Sequence, residues 1–98
     1  MRMRSDSTTL VRAAGLEVYE AADGLVVFNP ASDRVHHLNP TAAVVFELCN
    51  GSTTTSEIPT LVARLFALEA GPDAAVESVL RELVHEGVLV EANREASG

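Results

Sequence analysis

Few residues in the chain have chemistry to offer. They are His36 and His37 side by side, His85, the single Cys49, the hydroxyl run Ser52-Thr53-Thr54-Thr55-Ser56, and the acids Asp73, Glu77, Glu82 and Glu86. Adjacent residues of an extended segment point to opposite faces, so His36 and His37 are poorly placed to share one ion. Neither His85 nor Cys49 stands at ligand spacing from them, and no metal site is expected. The histidine pair reads as strand residues, with one ring turned toward a groove. Cys49 falls on the apolar side of a helical pattern with no basic group near in sequence, so it reads as a small hydrophobe. The hydroxyl run lacks a neighbouring His–Asp pair, and no glycine loop of the phosphate-cradling kind occurs. Catalysis by this chain is therefore not expected, and neither is a cofactor. The acids read as a solvated helix face or as partners for a basic peptide, which makes Arg81 and Glu82 candidates for specificity.

The elements that would carry these residues can be read in order. Residues Leu10 to Ala13 form a short extended piece laid on the core, and Gly15 ends it. Leu16 to Ala21 alternates apolar and polar residues. Asp23-Gly24 then gives a two-residue hairpin signal, with positive φ expected at both positions of a type I′ turn. Leu25-Val26-Val27-Phe28 reads as a second strand, Asn29-Pro30-Ala31-Ser32-Asp33 as a turn, and Arg34 to Leu38 as a third strand. Three short runs joined by tight turns make an antiparallel meander, so the third strand lies at an edge.

A sharp corner follows. Asn39 is a good helix N-cap, and Pro40 suits the first helical position because it has no N–H to satisfy. Ala42, Val45, Phe46 and Cys49 share one face of this first helix, and Asn50-Gly51 closes it. In the second helix Ile58, Leu61, Val62, Leu65 and Phe66 form an apolar stripe. Thr54 and Glu57 have capping-box spacing, but Pro59 leaves Thr55 and Ser56 open as alternative caps. Gly71-Pro72 breaks that helix. The third has Val76, Val79, Leu80, Leu83 and Val84 as its buried face and Gly87 at its end. Val88-Leu89-Val90 packs back or adds a little strand. The expectation is an α+β winged helix-turn-helix domain over residues 10–91. Flexible ends are expected at 1–9 and 92–98.

Bulk properties narrow the function. Ninety-eight residues with 47% hydrophobic content support one small core. No run of about 18 apolar residues exists to span a membrane. The N-terminus has basic residues but no apolar run after them, so it is not a secretory signal. One cysteine fits a reducing compartment, and a cytoplasmic protein is expected. Seven arginines and no lysines stand against fourteen acids, for a net charge of −7. Such a surface repels phosphate backbones, and the third helix brings only Arg81 where a DNA reader needs several cations. A winged-helix transcription regulator is thus the weaker reading of the same scaffold. A scaffolding subunit of an enzyme complex is another.

Several blocks together carry a resemblance. They are Asp23-Gly24, Asn29-Pro30, Val35-His36-His37-Leu38-Asn39-Pro40-Thr41-Ala42-Ala43, Glu47-Leu48-Cys49-Asn50-Gly51, Glu57-Ile58 and Glu86-Gly87-Val88-Leu89. From about Val18 to about Val90 the chain resembles the PqqD-like family, the recognition elements of ribosomally made and post-translationally modified peptides (RiPPs). The resemblance implies a non-catalytic domain that binds the leader segment of a precursor peptide. The leader would join the sheet beside the third strand, in the groove between that strand and the third helix. It would then be handed to a modifying enzyme such as a radical-SAM enzyme, protease, cyclase or ligase. The residues expected to carry this are Arg34, Val35, His36, His37 and Leu38 for backbone pairing. Val76, Val79, Leu80 and Leu83 are expected to line or underlie the pocket, with Arg81 and Glu82 at its rim. An open edge strand can also pair with a second copy, so some tendency to dimerise is expected.

Overall fold

The computed structural model describes residues 8–69 and 72–92. The expected end segments, apart from residues 8, 9 and 92, lie outside that range. The elements are β1 (Leu10–Arg12), β2 (Glu17–Ala21), β3 (Gly24–Asn29), β4 (Arg34–Leu38), α1 (Pro40–Leu48), α2 (Ile58–Leu65), α3 (Asp73–His85) and β5 (Leu89–Glu91). The meander is the antiparallel sheet β2-β3-β4, followed by three helices, as the sequence implies. The short extended piece near the N-terminus and the last apolar run pair with each other, Leu10 opposite Glu91 and Arg12 opposite Leu89. This second sheet ties the two ends of the domain together. Thr8 and Thr9 are held as well: the carbonyl of Thr8 accepts from the Thr55 amide at 2.9 Å, and that of Thr9 from Ala92 at 3.0 Å.

The first hairpin differs in its turn from the expectation. Ala21 pairs with Gly24, so the two-residue loop is Ala22-Asp23. Asp23 does not take positive φ; Gly24 does, at +143°. The glycine is thus spent on starting β3 rather than on closing a type I′ turn. In the second turn the buried Asn29 organises the chain. Its Oδ1 accepts from the Ala31 amide at 3.1 Å, and its carbonyl accepts from Asp33 at 2.8 Å.

The corner after β4 is built as its residues dictate. Asn39 has extended backbone and its Oδ1 accepts from the Ala42 amide at 2.8 Å, with Pro40 opening α1. Ala42, Ala43, Val45, Phe46 and Cys49 are buried, so the predicted face of α1 is the core face. Val27, Phe46, Ile58, Val62, Val76, Val88 and Leu89 complete a single core between the β3 face and the helices.

The second helix is where the pattern misleads. Its N-cap is Glu57, not Thr54, Thr55 or Ser56. Half of the capping box survives, because the Glu57 carboxylate accepts from the Thr54 amide at 3.0 Å. Starting at Ile58 puts Pro59 in the first turn, where a missing N–H costs nothing. The helix also stops well short of Gly71. Ala67 takes φ +57°, and Leu68 donates back to the Ala63 carbonyl at 2.8 Å. This left-handed closure leaves Leu65 and Phe66 exposed, so only Ile58 and Val62 of the predicted stripe are fully buried. On α3, Val76, Leu80 and Leu83 are buried and Val79 half-buried, whereas Val84, expected inside, is exposed. No helix among the described residues is long and apolar enough to cross a membrane.

Candidate functional site

Among the described residues β4 pairs with β3 alone, in the register Leu25 to Leu38, Val27 to His36 and Asn29 to Arg34. Its other side is an open edge. The sheet has a second open edge at β2, and the two are not equivalent. β2 is exposed along nearly its whole length and carries Glu17 and Glu20, charges of the kind that discourage strand addition. β4 instead runs beside α3 and shares a hollow with it. That hollow has a volume of about 360 Å³ and is lined by β4 and corner residues Val35 to Asn39, by Ala42 of α1, by Val79, Glu82 and Leu83 of α3, and by its C-cap Glu86.

Strand and helix periodicity together build this groove. On β4 the inward residues are His36, partly buried, and Leu38, fully buried, while Arg34, Val35 and His37 are exposed. On α3 and its C-cap, residues 79, 82, 83 and 86 fall at helical spacing on one face. The apolar pair Val79 and Leu83 and the acidic pair Glu82 and Glu86 therefore form two adjacent rows along one wall. An extended guest lying against β4 would present every second side chain to those rows.

The electrostatics of the groove are uneven. The Arg34 guanidinium meets the Glu86 carboxylate at 3.4 Å. His37 Nε2 stands 3.8 Å from the Asp23 carboxylate, both groups being exposed. Glu82 has no ion pair among the described residues. His36 Nε2 is buried without a hydrogen-bond partner among them. An orphaned polar atom of this kind costs roughly 1–3 kcal/mol.

The residues singled out from sequence divide between two hollows. Val35, His36, His37, Leu38, Val79, Glu82 and Leu83 come together in the β4–α3 groove, and Arg34 reaches it through Glu86. Val76, Leu80 and Arg81 instead line a separate hollow of about 640 Å³ between α2 and α3, with Pro59, Asp73, Glu77 and Val84. Asn39, Ala42 and Glu86 also line the β4–α3 groove and were not among the expected site residues. Glu86 could have been found, since it lies seven residues after Val79 and so returns to the same helix face.

Cys49 is buried and free. Burial pushes its thiol up to about 11, a shift that the Arg12 guanidinium only partly offsets. It is a packing residue, as its place on the α1 core face implies. Among the described residues no cluster of three or more histidine, cysteine or acidic side chains is arranged to hold a metal ion.

The family model described as Coenzyme PQQ synthesis protein D (PqqD) matches residues 24–89. The chain belongs to the PqqD family. The match runs from the first residue of β3 into β5, so the PqqD-like part contains β4, the corner and all of α3. Membership associates the chain with the biosynthesis of PQQ and related peptide-derived products, in an accessory and peptide-binding capacity. No curated protein and no solved structure gave a match to the chain.

Proposed function

We propose that this PqqD-family domain binds the leader segment of a ribosomally made precursor peptide by adding it as a strand to β4, and presents it to a modifying enzyme. The observation that carries the reading is the open edge of β4 lying beside a groove against α3 whose wall offers both apolar and acidic side chains. A five-residue edge offers an added strand about four or five backbone hydrogen bonds. At about 1 kcal/mol net each these give only millimolar binding. Micromolar capture needs about 8 kcal/mol, so apolar leader side chains must enter the groove at roughly 1.5–3 kcal/mol each. Main-chain pairing supplies capture of many sequences, and the wall of α3 supplies choice among them.

The domain itself makes and breaks no covalent bond in this scheme. It orders an otherwise extended segment and raises its concentration near the enzyme that acts on it. The enzyme belongs to the RiPP-modifying classes: radical-SAM, protease, cyclase or ligase. The test is an NMR titration of the labelled full chain with a synthetic leader peptide encoded beside its gene. Amide shifts concentrated at residues 34–38 and 79–86 are expected. Unmoved amides in β4 at millimolar peptide would count against the reading.

A further inference from the structure

The groove carries an asymmetry that strand addition alone does not require. Of the acids on its wall, Glu86 is already neutralised by Arg34 at 3.4 Å, while Glu82 has no cation among the described residues. His36 lines the same groove, although its unpartnered Nε2 is itself buried beneath the surface. A carboxylate accepts from the N–H groups of a lysine or arginine. The other cation on α3 is no substitute, since Arg81 turns to the α2–α3 hollow. The apolar receivers Val79 and Leu83 lie three and one residues from Glu82 on the same helix face.

We propose that Glu82 is a specificity residue that selects a leader with a lysine or arginine facing α3, two residues from an apolar anchor received by Val79 and Leu83. The spacing follows from geometry. Alternate side chains of a strand recur about every 6.6–6.8 Å, close to the 5.4 Å between successive turns of the helix they meet. Only every second side chain of the guest faces α3, so an apolar residue against Val79 and Leu83 has its nearest groove-facing neighbour two positions away, within reach of the acidic row that flanks them. The Arg34–Glu86 contact closes that row at one end, so the charge read by the peptide is that of Glu82.

This inference rests on strand addition at β4, and the experiment separates the two. A phage-displayed library of random twelve-residue peptides is panned on the immobilised full chain and on Glu82→Lys and Glu82→Gln. Both substitutions are at an exposed position, and matched thermal melts confirm the folded state. Selected peptides are synthesised and their footprints read from amide shifts at residues 34–38. The wild type is expected to enrich an apolar residue and Lys or Arg two positions apart, and Glu82→Lys to replace the basic residue by Asp or Glu. Glu82→Gln should weaken a wild-type-selected basic peptide about three- to tenfold, and added salt should shrink that gap. Peptides that shift the β4 amides with no charge preference, or with the same preference on Glu82→Lys, overturn the inference and leave strand addition standing. Failure to recover any peptide that shifts those amides overturns strand addition, and this inference falls with it.

Discussion

Gly24 and the carbonyl oxygen of Leu38 stand so close that a Cβ on Gly24 would lie 1.8 Å from that oxygen. The first residue of β3 is thus pressed against the last residue of β4, immediately before the Asn39 corner. Gly24 also holds φ +143°, a conformation that a side chain opposes. Replacing it with alanine adds a backbone clash to backbone strain, and about 2–4 kcal/mol of stability should be lost. Gly15, at φ +83° with nothing within 4 Å of the added carbon, is the control for strain alone. Urea denaturation of Gly24→Ala and Gly15→Ala should show the first clearly less stable. Equal midpoints would mean that β3 can recede from Leu38 at no cost.

The corner itself rests on a single side-chain contact. Asn39 Oδ1 accepts from the Ala42 amide at 2.8 Å. Asn39→Ala removes that cap and should cost about 1 kcal/mol, which is roughly 4–8 °C in melting temperature for a domain of this size. Asn39→Asp keeps an acceptor and should recover most of the loss. A melting temperature unchanged in Asn39→Ala would show that Pro40 alone fixes the start of α1.

This corner was fully legible, because a capping residue followed by proline carries its geometry locally. So were the three meander strands and the buried faces of α1 and of most of α3, where apolar spacing and burial coincide. What was not legible depended on distant partners. The role of Gly24 is set by Leu38, fourteen positions away, so a local turn rule assigned its positive φ to the wrong purpose. The stripe Leu65 and Phe66 has helical spacing, yet the chain leaves the helix at that point through a left-handed alanine that no propensity rule favours. Within the candidate site, Val79, Glu82 and Leu83 line the groove wall, and apolar periodicity marked Val79 and Leu83. It could not separate them from Val76 and Leu80, which share the apolar stripe of α3 but turn toward α2.

That left-handed alanine is itself a point of testable strain. Ala67 sits at φ +57° in the closure of α2, a position where glycine avoids a penalty of about 1 kcal/mol or more. Ala67→Gly should therefore stabilise the domain by about 0.5 kcal/mol after the added freedom of the unfolded chain is counted. Chemical denaturation measures this directly. A loss of stability would place the Ala67 methyl in a contact that outweighs the backbone strain.

Cys49 links the core to alkaline pH. Burial raises its thiol from 9.0 to about 11, so the folded chain keeps a proton that the unfolded chain releases across that interval. Stability is fully present below pH 9 and falls as the pH climbs toward 11, by roughly 2–3 kcal/mol in total from this group. Cys49→Ala should lose that part of the decline, so its stability curve between pH 9 and 11 should be flatter than that of the parent. A thiol reagent at pH 8 should label the native chain slowly and the urea-unfolded chain at once. Parallel pH curves for the two proteins would show that the thiol titrates normally inside the fold.

The two hollows of α3 give opposite expectations for one kind of substitution. Val79 lines the β4–α3 groove and is half-buried, while Val84 lines the α2–α3 hollow and is exposed. A carboxylate at position 79 meets Glu82 and Glu86 on the same wall and removes the apolar receiver for the guest. Val79→Asp should weaken leader binding by tenfold or more, since the lost burial of one side chain alone exceeds the 1.4 kcal/mol that a factor of ten requires. Val84→Asp places the same charge one helix face away and should leave the affinity within about twofold. Fluorescence polarisation with a labelled synthetic leader, on variants whose circular dichroism matches the parent, measures both. If Val84→Asp is the damaging change, the guest lies between α2 and α3, and the open edge of β4 is not where it is held.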